Sequence, residues 1–295
     1  MTIRTKLAAT MAVPLVALAA FAAFQVRGAY DRADQVKRQA ALATSATGPA
    51  GALSALETER DYETLWQIGA ENVVDGGRTK TSGDATARTN VALSGFRALL
   101  HDLGGDAASN YQSTLTSVST RLSDLRQDAE KLASTGRGAS PVARAKQANA
   151  IFDRYTVLIG QLLDVDQRSF GAIDDAQLRN GAELLNSIAR QNDIEKQIAV
   201  KAILATGAHD TATGLQVQRL AGLQAAGDAD LHLRADGPYA GAVLVMLTAK
   251  DRLDIVNKLD AVAKDPLHAN TTQLFQTVST ASKLWSVPQS NVSDV

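Results

Sequence analysis

In the stretch SALETERDYETLWQIG, Ser54 to Gly69, an arginine takes a place that an amphipathic helix normally gives to an apolar side chain. At about 100° per residue Leu53, Leu56 and Arg60 fall on one stripe, and Glu63 and Gln67 continue it. A guanidinium there can do one of two things. It can form surface ion pairs with Glu57 and Glu63, three residues to either side, each worth roughly 0.3 kcal/mol. Turned between helices, the same planar fork can hold a small oxyanion through parallel N–H donors. What faces it decides. On a later helix Asn192, Glu195, Ala199 and Ala202 extend the stripe of Leu184 and Ile188. That places Glu195 inward, where it could pair with Arg60 itself, and a carboxylate there would repel an anion.

Other chemistry finds little support. His101, His209, His232 and His268 are scattered without metal-ligand spacing or an HExxH pattern and are expected on the surface. GGRTKTSG, Gly76 to Gly83, lacks the GK[ST] order of a phosphate loop and no apolar strand precedes it, so it reads as a surface loop. The chain has no cysteine, which excludes disulfides and thiol nucleophiles. With no nucleophile, base or metal constellation, neither an enzyme nor a cofactor is expected. The net charge of −1, with no basic stripe, argues against nucleic acid as a partner.

The elements that must position Arg60 are helices. Only 4% of the residues are aromatic, alanine, leucine and glutamine dominate long stretches, and no alternating segment is long enough for a sheet. Periodicity and breakers predict a polar helix over Ala29–Thr47, then helices over Pro49–Val74, Ala85–Leu103 with Val91, Phe96, Leu99 and Leu100 as its apolar face, Ser109–Thr135, and a long one after Pro141. The next starts at Asp174 and Asp175 and runs toward Leu204. Thr213–Ala226, Tyr239–Ala263 with a break near Lys250, and Thr271–Ser286 follow. The expected fold is all-α: an N-terminal transmembrane helix, then long antiparallel helices packed as two four-helix-bundle-like halves divided at GRGASP, Gly136 to Pro141. The domains expected are an anchor over 1–28, a juxtamembrane helix over 29–48, a helical body over 49–290 and a tail over 291–295.

Leu7 to Val26 carries no charge and follows Arg4 and Lys6; as a helix it would span about 30 Å. Ala20-Phe21-Ala22 also offers a signal-peptide cleavage site, but the length of the apolar run favours an uncleaved anchor. The expected location is the cell membrane, single-pass, with the helical body extracytoplasmic.

LETERDYETL resembles the LQxERG signature of the bacterial nitrate- and nitrite-sensing domain, and three later stretches are similar to that family in order: ATARTNVALSGFRALL, FDRYTVLIGQLLDV and GPYAGAVLVMLTAKDRLDIVNKLDAVA. The opening of the chain looks like that of actinobacterial sensor histidine kinases. The resemblance, over about Pro49 to Ser286, implies paired helical bundles that bind nitrate or nitrite between helices with one arginine from the first helix and another from a later one. Arg60 matches the first. For the second, the nearest register of ARQNDIEKQIAVKAILATG places Lys196 and Gln197 where the family has ER, and no arginine occurs from Gln191 to Gln218.

The candidate anion-binding set is therefore Arg60, Glu63, Asn192, Glu195, Lys196 and Gln197. The function it implies is a membrane-anchored extracytoplasmic sensor, the nitrate- or nitrite-binding input of a two-component histidine kinase receptor, working by a helix shift. The implied partners are the small anion, the membrane through Leu7–Val26, and a second copy or a signalling chain. No HAMP-like linker or kinase core precedes Val295, which puts the output on a continuation or another chain. The alternatives are a non-sensory anchored scaffold or dimerisation module, and a chemoreceptor-type domain for another small ligand.

Overall fold

The computed structural model describes residues 51–69, 82–103, 105–169, 176–234, 240–270 and 273–274. Among them the only regular secondary structure is helical: α1 Ala52–Gln67, α2 Ser82–Leu103, α3 Gly105–Thr135, α4 Pro141–Ser169, α5 Ala176–Ala208, α6 Thr211–Arg234, α7 Ala240–Thr248 and α8 Lys250–Lys264, with a 3₁₀ turn at Gly136–Gly138.

Local chemistry sets the boundaries. α1 ends before Val74 because Gly69 takes the left-handed conformation, φ 75°, just past its last turn. α4 starts at Pro141, where Ser140 Oγ accepts the Ala143 N–H at 3.2 Å. Asp210 begins α6 in the same way, accepting from the Ala212 N–H at 3.1 Å. The Thr213 hydroxyl also donates to Asp210, and this bond is the main reason its carboxyl lies below the ordinary range. α6 runs eight residues beyond Ala226, to Arg234, where an Arg234–Asp230 pair at 2.7 Å and the cationic side chain suit the C-terminal end of the helix dipole. Ala249 supplies the break expected near Lys250.

One apolar core joins α1 to α4 through Leu53, Leu56, Leu93, Phe96, Leu100, Leu115, Val118, Leu122, Leu125, Ile151, Tyr155 and Ile159. A second joins α1 to α5, α6, α7 and α8 through Leu65, Ile188, Ile198, Ile203, Val217, Val243, Leu247, Ile255 and Leu259. A smaller one links α4 and α5 through Phe152, Val200 and Leu204. Because α4 packs into the first core, the expected division at GRGASP is displaced past the end of α4. Val91 is 74% exposed, since the buried face of α2 is Leu93, Phe96 and Leu100 and Val91 points roughly opposite.

The membrane location is corrected. Among the described residues no helix is long and apolar enough to cross a membrane. The long helices carry charges along their length, and the strongly apolar α7 has only 9 residues, about 14 Å. Leu7–Val26, Ala29–Thr47, Gly76–Thr81, Asp174, Asp175 and residues 275–286 lie outside the described residues.

Candidate functional site

α1 is charged on nearly every side yet buried along most of its length: Glu57, Glu59, Arg60, Asp61 and Glu63 are all inside. A helix can bury such a face only when each charge meets a partner, and here they come from neighbouring helices and from α1 itself. The Glu59 carboxylate accepts Nε and Nη2 of Arg126 on α3 at 2.6 and 2.8 Å and the Tyr155 hydroxyl of α4 at 2.9 Å. Glu57 Oε2 accepts Lys196 Nζ at 2.6 Å and Asn192 Nδ2 at 3.2 Å, both from α5.

Arg60 has no exposed surface at all, so it is not a member of a wet-face ladder with Glu57 and Glu63. Its guanidinium lies 4.4 Å from the centre of the Phe152 ring of α4. Nε donates to Asp61 Oδ1 at 3.0 Å. Nη1 donates to Asp193 Oδ1 on α5 at 2.6 Å and to the Thr156 hydroxyl at 3.3 Å. Nη2 is buried and has no hydrogen-bond partner. Gln197 Nε2 holds the other Asp193 oxygen at 2.7 Å.

Two cations, Arg60 and Lys196, thus stand among three buried carboxylates, Glu57, Asp61 and Asp193. Burial outweighs the two cations in setting how Glu57 and Asp61 titrate. Burial, reinforced by Asp193 and opposed by Lys196, pushes the Glu57 carboxyl up to about 7. Burial also raises Asp61 despite the adjoining Arg60. On Arg60 burial works against the charge, but Asp193, Asp61 and Glu57 outweigh it and hold the guanidinium above its ordinary range. Glu57 Oε1 and Asn192 Oδ1 are two further buried atoms without a hydrogen-bond partner. A partnerless buried donor among partnerless acceptors is costly, and it leaves Arg60 one arm able to receive a ligand oxygen.

Four of the six residues singled out from the sequence meet here: Arg60, Asn192, Lys196 and Gln197. Glu63 lies one turn along α1, where Gln67 Nε2 donates to it at 2.9 Å. Glu195 does not pair with Arg60. It belongs to a second buried cluster, accepting Arg252 Nη2 of α8 at 3.0 Å, while the same nitrogen reaches Asp228 of α6 at 2.5 Å. The α5 carboxylate on Arg60 is Asp193, two positions earlier. A single-stripe wheel missed it because α5 buries Gln191, Asn192, Asp193, Glu195, Lys196 and Gln197 all round. The signal was present in the run after it, Ile198 to Ala205, which is small and apolar at every position but Lys201 and suits a helix enclosed on nearly every side. Glu57, Asp61 and Thr156 are the other residues of the site that sequence reasoning did not assign to it. The four histidines are exposed, as expected, and among the described residues no three His, Asp or Glu side chains are grouped so as to hold a metal ion.

No family model matches the chain, nor does any curated protein. The fold is similar to the solved structure of the NasR transcription antiterminator, with a TM-score of 0.58 and 18% identity, covering 92% of this chain and 74% of that one. That protein is a regulator rather than an enzyme or a histidine kinase, so the likeness lends nothing to the two-component output expected from the sequence. At this identity the likeness establishes a shared all-helical fold.

Proposed function

We propose that the chain is a sensory helical domain in which the buried Arg60 network binds a small planar oxyanion of the nitrate or nitrite class. The observation that carries this reading is the unpartnered Nη2 of a wholly buried arginine held between α1, α4 and α5. An oxyanion received on the Nη1–Nη2 edge would replace Asp193 there and gain two parallel donors. The displaced Asp193 keeps Gln197 as a donor. Protonation of Glu57 offsets the added negative charge, and Lys196, released from part of its duty to Glu57, adds a second cation beside the ligand. Exchanging a protein carboxylate for a diffusible anion changes what ties α5 to α1, which is the differential interaction that a shift between two helix arrangements requires. The resemblance of LETERDYETL to nitrate- and nitrite-sensing domains and the likeness of the fold to a transcription antiterminator support the same reading. A separate signalling chain or segment would receive the shift.

A second reading has its own support: Asp61 and Asp193 already neutralise Arg60, as in a purely structural ion-pair core. Calorimetry with nitrate and nitrite at millimolar concentration separates the two. A sensor gives saturable heat that is weakened in Arg60→Lys, which keeps the charge and loses the fork. A structural core gives none.

A further inference from the structure

A second place in the molecule has the makings of a ligand site, and nothing in the oxyanion reading uses it. Where the end of α1 meets the end of α3 and the start of α4 lies a cavity of about 230 Å³. Trp66 and Gln67 line it from α1, Leu132 and Ala133 from α3, and Arg144 and Gln147 from α4. At roughly 30 Å³ per water the space equals some seven water molecules, more than a four-atom inorganic anion fills.

Arg144 sets the chemistry. The buried cations Arg60, Lys196 and Arg252 each face a carboxylate, whereas no ion pair reaches Arg144 among the described residues and its buried Nε has no hydrogen-bond partner. An arginine in a cavity wall without a counter-charge seeks an anion. Its position in the first turn of α4 adds the positive end of that helix's dipole. The rest of the wall asks for something other than charge: Trp66, Leu132 and Ala133 line it with apolar side chains, an aromatic one among them, which suits a planar apolar body. Gln67 cannot turn its amide hydrogens to a ligand without loss, because they already hold Glu63 and the Ala129 carbonyl at 2.9 and 2.8 Å. We propose that this cavity is a binding site for an organic monocarboxylate with a planar apolar body, its carboxylate on Arg144 and its ring against Trp66. The site is separate from the Arg60 network, so each proposal can fail without the other.

Trp66 reports on the site directly. Trp285 is the other tryptophan in the chain, and a Trp285→Phe background leaves Trp66 as the sole tryptophan. Full-length protein in that background is titrated with benzoate as the probe and with acetate and nitrate as controls, each followed by tryptophan emission. Benzoate is expected to change the emission saturably, acetate to bind at least tenfold more weakly, and Arg144→Gln to weaken benzoate at least tenfold. Arg144→Gln leaves the melting temperature unchanged, because no protein partner is orphaned, so loss of binding in it is not loss of fold. The proposal is overturned if benzoate produces no saturable change, if Arg144→Gln binds it as well as its parent does, or if Arg60→Lys rather than Arg144→Gln abolishes the response.

Discussion

Arg60 and Lys196 are the cations hydrogen-bonded to the three buried carboxylates Glu57, Asp61 and Asp193, and removing Arg60 should show how much the molecule depends on it. Arg60→Ala strands Asp61 and Asp193 and is expected to lose about 3–5 kcal/mol in urea unfolding. Adding Asp193→Asn to it recovers part of the loss, a coupling that a double-mutant cycle measures. Glu57 makes a prediction in pH. Its carboxyl stands near 7 in the folded chain against an ordinary 4.5. Between those values the folded chain holds a proton that the unfolded chain releases. That stability is therefore fully present below about pH 4.5 and is lost as the pH rises through 7, the direction burial also gives Asp61. Glu57→Gln retains one carbonyl oxygen to accept from Lys196 and Asn192 without the charge. Thermal melts from pH 4 to 8 are expected to show a flatter profile for it than for the parent chain. Arg60 was legible in the sequence because a charge inside an apolar stripe stands out against its neighbours. Asp193 was not, since on α5 buried polar residues occur at every angle and no stripe sets one of them apart.

At the scale of elements, α5 carries both charge clusters on successive residues: Asn192, Asp193 and Lys196 turn to α1, while Gln191 and Glu195 turn to α6 and α8. A movement of α5 against α1 would therefore be felt at Arg252. The approach of α6 to α5 is set by Gly227, where an added Cβ would collide with the side-chain amide of Gln191. Gln191 cannot withdraw freely, since its amide donates to the Gln224 carbonyl and to Asp228 Oδ1. Gly227→Ala is thus expected to destabilise the chain by about 1–3 kcal/mol despite the better helix propensity of alanine. Gln191→Ala in the same chain should relieve the clash, so that the double variant is more stable than the sum of the single effects in the same denaturation assay. The helices themselves were largely legible, because periodicity and breakers such as Gly136 to Pro141 act locally. The end of α1 was not: nothing in the pattern of residues 70–74 competes with a helix until Gly69 adopts its left-handed backbone.

For the molecule as a whole, Arg60 lies along α1 between Leu56, which belongs to one apolar core, and Leu65, which belongs to the other. A ligand at that point would act where two cores share a helix, and small changes there reach both. The all-helical class followed from composition, helical periodicity and the lack of long alternating segments. Which helices share a core did not, because α4 and α5 are apolar enough to serve either side, and only packing assigns Ile151 and Tyr155 to the first core and Ile198 and Ile203 to the second. The anchored location was read from a segment outside the described residues, whereas the described helices carry too much charge to cross a bilayer.

The central claim is that a diffusible oxyanion and the Asp193 carboxylate compete for the same edge of Arg60. Nitrate calorimetry on the full chain and on Asp193→Asn tests it most directly. The amide keeps the hydrogen bond from Nη1 and removes the competing charge, so the account predicts binding in the parent chain and at least tenfold tighter binding in the variant. Heat absent from both, or binding unchanged or weaker in Asp193→Asn, would contradict it.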